Sequence, residues 1–520
     1  MWVEGTAPGV FTDYDESTLP YQVIRRRDDI TGTVTGKPFE VYFDCNELDF
    51  VNRAVGDDDN NPYPSFVTPS DQEGIADRFV TGLGFFQDRL VVASGTSVTM
   101  SEAGNWGSFF RTTQLAVPDS DRIDVFLTGA DSSQIVDITT SGNNLFLRGA
   151  RGINILETGD QPLTPRSVGF RLVYAGGSGK LAQMAPVHGG VVFSEERSDA
   201  DALTWLVPTS GGFEPVDLTV GTSGYLGAPI NTIKWSPDGK FLFVHSRENL
   251  ADKIRVCRLP LGRKEVSWAS LGGLDTIQSM TIAGDELYTL QNRPDSSTLE
   301  SIVLDPFPVD GSQTWSVHLD RRVVETDVDM VFASGSTTIT LPYKLDTTRD
   351  VRVVHRDSAL FGVQYAVTSV SNVSDLGTVV VTGDLTADEF FVGQTFQAEC
   401  SLMSPVPRVR NQDGSFRALG VSKILVRSMS VGYTDTGELN VRVTNPYTGV
   451  STPSGDGAAP LVDGETASGV TLESAVEHVA VGQSHDDMDV KISSTDHKPT
   501  IISAVEWGVE LVDTGARVTS

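Results

Sequence analysis

Apolar residues in this chain recur at alternate positions, or in short runs that end at Gly, Asp, Asn or Pro. Successive side chains of a β-strand lie on opposite faces, so this pattern is typical of strands, whereas a helix repeats its apolar positions every three to four residues. Amphipathic helical stretches are nearly absent from the sequence. The pattern therefore predicts an all-β protein.

A short unit repeats through the first two thirds of the chain and consists of a turn with glycine, an apolar run and a polar turn. The units are marked by Gly84, Gly142, Gly189, Gly239 and Gly284, which are 45 to 58 residues apart. One four-stranded blade of a β-propeller takes about 40–50 residues. Five such units predict a propeller of five or more blades over residues 75–320.

The remaining segments predict three further parts. Residues 1–74 are expected to form strands that lead into the propeller, and residues 321–447 a second β-rich unit, either a barrel or a sandwich. Residues 448–520 are expected to contain a long loop, Thr448–Gly469, followed by a C-terminal β segment. The loop prediction depends on the density of Gly, Ser, Pro and Ala in that stretch.

The charge balance limits the partners of the chain. It has 39 Lys and Arg against 69 Asp and Glu, a formal net charge of −30, which disfavours a surface that grips nucleic acid. No run of about 18 apolar residues is present, and residues 1–5 lack the basic start of a secretory signal. We expect synthesis in the cytoplasm and no stable membrane insertion.

The three cysteines predict no redox or metal chemistry. Cys45, Cys257 and Cys400 are far apart, and each lies among strand-forming residues without a second cysteine or a histidine nearby. We expect all three to be reduced and buried.

Two segments resemble ligand-binding loops but depart from them. Residues 176–181 resemble a phosphate-binding loop, yet Tyr174 replaces its first glycine and Leu181 its hydroxyl residue. Residues 57–62 have the oxygen spacing of a calcium loop, but Pro62 and Thr68 occupy positions that require Gly and Glu. We expect an inter-strand turn in the first case. In the second, a solvated loop is favoured and a looser cation site is the alternative.

No arrangement of residues predicts catalysis. His478 and His485, which is followed by Asp486 and Asp487, lack the spacing of a helical metal site, and no Gly-x-Ser-x-Gly motif is present. The expected inner positions of the blades carry neutral residues without a repeated histidine or carboxylate; these are 134–136, 182–184, 231–233 and 278–280. We therefore predict no catalytic, cofactor-binding or metal-binding residues.

Several segments, taken in order, resemble the tail tubular protein B family, the tail nozzle proteins of short-tailed bacteriophages (podoviruses). The most specific are 84–94, 98–106, with Ser101-Glu102-Ala103-Gly104, and 119–124. The others are 55–66, 109–113, 159–165, 319–323, 338–343 and 391–396. The resemblance covers roughly residues 50–445.

The resemblance implies a structural virion protein of the phage tail rather than an enzyme. It implies a homohexameric conduit for DNA ejection that attaches to the adaptor (tail tubular protein A) ring, docks tail fibres and lets genomic DNA pass without specific binding. Members of the family usually have a Gly-rich N-terminal platform region ahead of the part that begins here near Thr6. Either a separate chain supplies that region, or the platform is reduced.

Other interpretations remain open for the whole chain and for two of its loops. A propeller that binds the host surface is the main alternative function, and a propeller hydrolase or lyase is less favoured. Residues 194–199 are either a fibre contact or a solvated charged hairpin. The loop 448–469, with Asp456, Asp463 and Glu465 and no basic residue, either lies near the DNA path or the tip gate or is a disordered surface loop.

Overall fold

The structure is a computed structural model. It describes residues 4–14, 21–29, 39–47, 50–67, 79–128, 133–157, 162–179, 181–197, 200–220, 222, 224–236, 240–248, 251–259, 266–272, 274–293, 297–304, 315–357, 360–405, 408–410, 416–418, 423–445, 447, 451–452, 465–466, 469–470 and 472–512.

The described chain is all-β, as the alternating pattern predicts. It has thirty-nine strands, all paired antiparallel, and two short 3₁₀ turns at Glu325–Asp327 and His485–Asp487. No α-helix occurs in the residues that the structure describes. The chain divides into two compact units, Met1–Val303 and Leu304–Ser520.

The first unit begins with a two-stranded hairpin. Strand β1 (Tyr21–Asp29) pairs along its full length with β2 (Phe39–Glu47), from Tyr21 opposite Glu47 to Asp29 opposite Phe39.

Five antiparallel sheets follow, each formed by consecutive strands in chain order. Sheet 1 contains β3 (Val80–Phe86), β4 (Arg89–Ser94), β5 (Ser97–Met100) and β6 (Ile123–Phe126); sheet 2 contains β7 (Ile135–Ser141), β8 (Asn144–Gly149), β9 (Gly152–Glu157) and β10 (Gly169–Ala175). Sheet 3 contains β11 (Ala185–Val187), β12 (Gly190–Glu195), β13 (Ala202–Thr209) and β14 (Gly212–Asp217). Sheet 4 contains β15 (Thr232–Trp235), β16 (Phe241–His245), β17 (Ile254–Arg258) and β18 (Ser267–Leu271), and sheet 5 contains β19 (Thr276–Ala283), β20 (Glu286–Asn292) and β21 (Ser297–Val303).

The repeated sequence unit marks the same place in successive sheets. Gly142, Gly189 and Gly284 have φ angles of 58°, 81° and 60° in the turns that join the first two strands of sheets 2, 3 and 5. In sheet 1 the corresponding turn is Gln87–Asp88, also with positive φ. Gly239, the mark for sheet 4, lies outside the described residues. Three of the five marks thus lie in hairpin turns, where glycine tolerates positive φ, whereas Gly84 lies within β3.

Neighbouring sheets of the first unit share apolar cores because several strands are apolar on both faces. In β8, Leu145 and Leu147 pack with sheet 1, whereas Phe146 packs with Val191 and Phe193 of sheet 3. A third core joins sheets 3 and 4. The first strands β3, β7, β11, β15 and β19 also pack on one another in sequence.

The outer face of sheet 1 is covered by an aromatic cluster from the residues that precede the sheet and from the segment between β5 and β6. Leu90 and Val92 of β4 pack there with the aromatic cluster, which comprises Tyr14, Phe50, Tyr63, Phe66, Phe109 and Phe110. Phe66 and Phe109 meet edge to face with their ring centroids 5.0 Å apart. The first residues of the described chain and the β5–β6 segment therefore cover this face of sheet 1 together.

The second unit contains two pairs of sheets, each pair around one core. In the first pair, sheet 6 has the order β22 (Asp320–Val324), β28 (Phe390–Gln394), β25 (Val351–His355), and sheet 7 has the order β23 (Asp329–Ala333), β24 (Ser336–Thr340), β27 (Leu376–Thr382), β26 (Val367–Val373). Ile339, Val379, Val353 and Val392 lie in their common core.

The second pair consists of sheets 8 and 9. Sheet 8 has the order β29 (Ala398–Leu402), β38 (Asp489–Ser494), β33 (Asn440–Thr444), β34 (Ser451–Thr452), and sheet 9 has the order β37 (Glu473–Ser484), β32 (Lys423–Thr436), β39 (Ile502–Val512). Met429, Val431, Val441 and Val490 lie in their core. Two small pairs complete the unit, β30 (Arg408–Arg410) with β31 (Phe416–Ala418) and β35 (Glu465–Thr466) with β36 (Gly469–Val470). None of the sheets in the described part of the chain closes into a barrel.

A methyl group at Gly190 tests the close packing of sheet 3. A Cβ atom there would lie 1.8 Å from the backbone oxygen of Leu206, whereas one at Gly211 would meet nothing within 4 Å. We expect Gly190→Ala to lower the free energy of unfolding of the first unit by roughly 2 kcal/mol, because overpacking forces the strands apart. Gly211→Ala is the control and should leave the thermal midpoint nearly unchanged. Equal midpoints for the two variants would contradict the described packing of β12 on β13.

Candidate functional site

The acidic turn at residues 57–61 uses its polar groups within the fold. Oδ1 of Asp57 accepts hydrogen bonds from the backbone N–H groups of Asp59 and Asn60, both at 3.1 Å. The buried Asn61 side chain donates to the oxygen of Val55 at 2.9 Å and accepts from the N–H of Arg111 at 2.9 Å. This turn, considered as a calcium loop on sequence grounds, therefore acts as a structural connection.

Arg53 links this turn to the aromatic cluster. Its buried guanidinium lies 2.7 Å from Asp58 and 4.5 Å from the centroid of the Tyr63 ring. It also lies 5.2 Å from the centroid of Phe110. A guanidinium over an aromatic face is attracted by the ring electrons, so Arg53 stabilises the packing of the turn on the cluster.

A buried arginine organises the end of sheet 1. Nη1 of Arg89 donates to the backbone oxygens of Ser101 and Asp121 at 2.7 and 2.6 Å, and Nη2 donates to that of Asp119 at 2.9 Å. The side chain is almost fully buried. Arg89 therefore donates hydrogen bonds to backbone carbonyl groups in two turns, one at Ser101 and one at residues 119–121, that lie outside the strands of sheet 1.

The segment 119–124 is held by its own side chains as well. Oδ1 of Asp121 accepts from the N–H and the hydroxyl of Thr112, both at 3.1 Å, and Arg122 donates to the oxygen of Phe109 at 2.9 Å. Asp124 accepts a hydrogen bond from the hydroxyl of Ser65 at 2.9 Å. Burial raises the pKa of the Asp124 carboxyl, although this hydrogen bond acts to lower it. The segments 55–66, 84–94, 98–113 and 119–124 are thus bonded to one another around sheet 1.

The loop that resembles a phosphate-binding loop connects sheets 2 and 3. Gly176 N–H donates to the oxygen of Arg151 at 3.1 Å, Ser178 Oγ donates to that of Gly149 at 2.6 Å, and Gly179 N–H donates to that of Ser194 at 2.8 Å. Lys180 lies outside the described residues. The donors that would bind a phosphate are directed to backbone oxygens, which supports an inter-strand turn.

The start of the segment 194–199 is buried in sheet 3 rather than exposed. Ser194 is 1% exposed, and Glu195 accepts a hydrogen bond from Tyr174 Oη at 2.6 Å and another from Thr204. Burial and the Glu195 carboxylate raise the pKa of Tyr174. Arg197 forms ion pairs with Glu195 at 3.0 Å and with Asp217 at 2.9 Å. Residues 198–199 lie outside the described part, so Glu196 and Arg197 are the exposed members that the structure describes.

His478 and His485 are not brought together. Nδ1 of His478 lies 2.7 Å from Oγ of Ser430 on sheet 9. Nε2 of His485 lies 3.1 Å from Asp486 in the turn after β37. In the described part of the chain, no group of three His, Cys, Asp or Glu residues is arranged to hold a metal ion.

The cysteines differ from one another. Cys257 is buried in the core of sheets 3 and 4, and burial raises the pKa of its thiol to about 12. The prediction of burial is wrong for Cys400, which is exposed because β29 is an edge strand whose other side chains are also largely exposed. The side chain of Cys45 lies outside the described set.

The structure reveals a buried charge cluster that the sequence pattern did not indicate. Asp496 contacts Arg352 Nη1 and lies 3.1 Å from Lys498 Nζ. His497 is fully buried; its Nδ1 lies 2.9 Å from Arg352, and its Nε2 lies 2.8 Å from the oxygen of Gly362. The cluster, named here the Asp496 cluster, joins the segment between β38 and β39 to β25 and the loop that follows it. It connects the two sheet pairs of the second unit.

The Gly-rich loop is described only in part. Residues 451–452, 465–466 and 469 belong to short strands, whereas Asp456 and Asp463 lie outside the described residues.

None of the helical segments within the described ranges is long and apolar enough to cross a membrane.

The described polar clusters connect strands, turns and sheets to one another within an all-β protein. A model of the bacteriophage nozzle protein family matches residues 1–517. The chain therefore belongs to the bacteriophage nozzle protein family, and the predicted resemblance to tail nozzle proteins is confirmed. It is a structural protein of the phage tail and a component of the virion.

One curated relative matches a short part of the chain. Tail tubular protein gp12 of Escherichia phage T7 is 31% identical over 108 residues, which is 21% of this chain and 11% of that protein. The match thus spans about a tenth of the length of the relative.

Two solved structures illustrate distant likenesses. Hsv2 of Kluyvelomyces marxianus has 11% identity and a TM-score of 0.29, with coverage of 58% of this chain and 82% of that one. A protein from Lactobacillus plantarum has 12% identity and a TM-score of 0.28, with coverage of 62% and 94%. Likeness at this level carries no argument about fold or function.

Removing the guanidinium of Arg89 should destabilise the first unit strongly. Arg89→Met leaves the backbone oxygens of Ser101, Asp119 and Asp121 buried without these donors, so we expect a loss of about 3 kcal/mol in the free energy of unfolding. Arg171→Met is the matched control, since Arg171 forms a half-exposed ion pair with Glu157 at 3.2 Å and should cost less than about 1 kcal/mol. Calorimetry measures both; a cost for Arg89→Met no greater than that of the control would refute the structural role.

The Asp496 cluster should stabilise the second unit down to low pH. Burial favours the neutral acid, but the hydrogen bond with His497 and the charges of Lys498 and Arg352 outweigh it and hold the pKa of Asp496 well below 3.8. The ionised Asp496 therefore contributes its full stabilisation above the pKa that this carboxyl has in the unfolded chain. This stabilisation is lost as the pH falls through the lower pKa of the folded state.

Asp496→Asn tests this dependence. We expect the free energy of unfolding to fall by about 3 kcal/mol at pH 7, because the buried Arg352 and Lys498 charges lose their partner. The difference in unfolding free energy between variant and wild type should stay constant down to about pH 4 and narrow toward pH 2. The exposed Asp375 provides the control, Asp375→Asn. A gap that is already closed at pH 5 would show that Asp496 titrates normally.

Proposed function

We propose that the chain is the tail nozzle subunit that forms a homohexameric conduit for DNA ejection. In this proposal the ring is attached to the tail adaptor, carries docking surfaces for tail fibres, and lets genomic DNA pass without specific binding. The observation that carries the proposal is the combination of a net charge of −30 with the use of basic side chains inside the fold.

Many of the basic side chains are occupied by internal contacts. Arg89, Arg122, Arg321, Arg322 and Arg349 donate to backbone oxygens. Others pair with carboxylates: Arg53, Arg171, Arg197, Arg293, Arg352, Arg356, Arg427, Lys344, Lys491 and Lys498. These positive charges are matched within the protein, so the excess of acidic residues dominates the outer field.

This distribution suits a channel through which DNA slides. Each phosphate that a protein neutralises adds affinity, and a tube with many such contacts would retain the duplex. Six copies of a chain with charge −30 carry −180. At physiological salt this field extends about 8 Å, so it keeps the duplex from the wall without acting at long range.

The five sheets of the first unit support a β-propeller over residues 75–320. Each sheet is a meander of consecutive strands, and the first strands pack on one another in sequence, as the inner strands of propeller blades do. In this proposal residues 1–74 lead into the propeller, residues 321–447 form most of a β-rich nozzle domain, and residues 448–520 supply a loop and the C-terminal strands that complete its sheets 8 and 9. Few free edges remain in such a fold, which suits a surface that faces outward.

A DNA titration tests the low-affinity conduit. We expect the assembled protein to bind labelled duplex more weakly than the roughly 10⁻⁴ to 10⁻⁶ M of ordinary non-specific binders at physiological salt, with little change between low and high salt, because few phosphates are neutralised. A basic duplex-binding protein in the same assay is the positive control. Micromolar binding with a steep salt dependence would indicate a basic DNA-contacting surface and reject the proposal.

A further inference from the structure

The outer face of sheet 7 carries almost no charge. Thr337 and Ile339 of β24 are fully buried, and Ile339 lies in the core shared with sheet 6. Side chains alternate along a strand, so Thr338 faces outward together with Val331, its partner on β23. Asp329 is the only charged residue in the four strands of this sheet.

Apolar side chains on this face are exposed. Val331 is 64% exposed, and Val373 and Leu376, which pair with each other beside the β26–β27 turn, are 59% and 40% exposed. The four strands and the turns that join β23 to β24 and β26 to β27 all lie within the described ranges 315–357 and 360–405. A group of exposed apolar side chains on a regular sheet is a candidate contact surface.

The outer face of sheet 5 has the same character. Leu287 and Thr289 of β20 are fully buried on its inner face. On the opposite face, Leu290 lies directly across from Leu299 of β21, and these side chains are 39% and 71% exposed. Among the outward positions of β19, β20 and β21, Glu286 is the only charged residue.

The outer faces of sheets 8 and 9 are charged by comparison. On sheet 8, Lys491 pairs with Glu399 at 2.8 Å, and on sheet 9, Arg427 pairs with Glu510. Charged residues make up 21% of the whole chain. The outer faces of sheets 5 and 7 therefore depart from the general surface, and depletion of charged residues is typical of the core of a protein interface.

The net charge of −30 restricts where two copies of the chain can meet. Copies with this charge repel each other, and each carboxylate buried without a partner adds a further cost. Two faces with one carboxylate each, Glu286 on sheet 5 and Asp329 on sheet 7, avoid most of this cost. A second copy is therefore the occupant that the charge distribution favours.

The two faces also match in size. With strands about 4.8 Å apart and a rise of about 3.3 Å per residue, the face of sheet 7 measures roughly 19 by 20 Å and that of sheet 5 roughly 14 by 23 Å. A standard interface buries about 800 Å² of accessible surface on each partner. The two faces together would form the uncharged centre of such an interface, with polar residues at its rim.

The symmetry of a ring selects between the possible pairings of these faces. Contact between two identical faces joins copies in pairs and stops there. Contact between two different faces repeats from copy to copy and closes into a ring when the rotation permits. The proposed hexamer therefore requires a contact of the second kind.

We propose that the outer face of sheet 5 of one copy packs on the outer face of sheet 7 of the next copy in the ring. The inference rests on the proposed homo-oligomer and adds the two surfaces through which neighbouring copies meet. Two sheets pack face to face about 10 Å apart. In this arrangement Leu290 and Leu299 of one copy are buried by Val331 and Leu376 of the next.

Two charge substitutions test the contact because each disables one face. Leu299→Asp places a carboxylate on sheet 5, and Val331→Asp places one on sheet 7. We expect each variant alone to associate roughly tenfold or more weakly than the wild type in sedimentation analysis, since the added carboxylate has no partner in the contact. Both side chains are exposed in the single chain, so the melting temperatures of the monomers should be unchanged.

Val220→Asp and Met403→Asp are the matched controls, one in each unit. Val220 is 78% exposed and Met403 is 87% exposed, and neither residue belongs to the two faces. Both control variants should assemble as the wild type does.

A mixture of the two face variants shows whether the contact joins different faces. The Leu299→Asp copy keeps an intact sheet 7 and the Val331→Asp copy keeps an intact sheet 5, so an equimolar mixture has one intact pair of faces. After light glutaraldehyde fixation, native mass spectrometry should detect a heterodimer that does not extend to a ring. Dimers of either variant alone, or a mixture that contains only monomers, would overturn the inference.

The wild type and the single variants separate the two levels of the proposal. Normal rings from Leu299→Asp or Val331→Asp would reject the sheet contact, leave these faces to another occupant and leave the proposed conduit intact. A wild type that stays monomeric under the same conditions would reject both the contact and the hexamer.

Discussion

A β-sheet that is apolar on both faces needs cover on both sides, and this requirement governs the first unit. Leu145 and Leu147 point from β8 toward one neighbouring sheet, and Phe146 points toward the other. Each such strand binds two sheets together, so the unit is a series whose stability depends on contacts between neighbours. A series of this kind must be closed at its ends. The aromatic cluster covers one face of sheet 1, and Leu290 and Leu299 of sheet 5 are exposed in the single chain.

The same structure determines how charge is distributed. Turns between short strands leave backbone oxygens without partners, and buried arginines such as Arg89 and Arg122 donate to them. In the second unit, Arg352 and Lys498 instead neutralise the buried Asp496. These positive charges thus hold turns and sheets together, and among the described acidic residues only Asp121, Asp137, Glu195 and Asp496 are buried. A structural role for arginine inside the fold and an acidic exterior are two results of one arrangement.

The local features of the fold were predictable from the sequence, and the long-range features were not. Glycine at positive φ in a turn followed by an apolar run is a local signal, so Gly142, Gly189 and Gly284 predicted the hairpins correctly. The Asp496 cluster brings together residues 144 positions apart, which no local pattern encodes. The resemblance of segments 84–94 and 119–124 to nozzle proteins indicated the family, but only the structure explains these residues, since Arg89 of the first segment donates to the backbone oxygens of Asp119 and Asp121 in the second. Cys400 was expected to be buried because strand propensity does not tell a central strand from an edge strand.

Electron cryomicroscopy of the assembled protein tests the central claim most directly. The account predicts a ring of six copies around a bore wide enough for a DNA duplex, with acidic and neutral side chains on its wall. In that ring the first unit of each copy would appear as radially arranged sheets. A particle without an axial bore, or a bore lined by exposed Arg and Lys, would contradict the assignment of this chain as a DNA conduit.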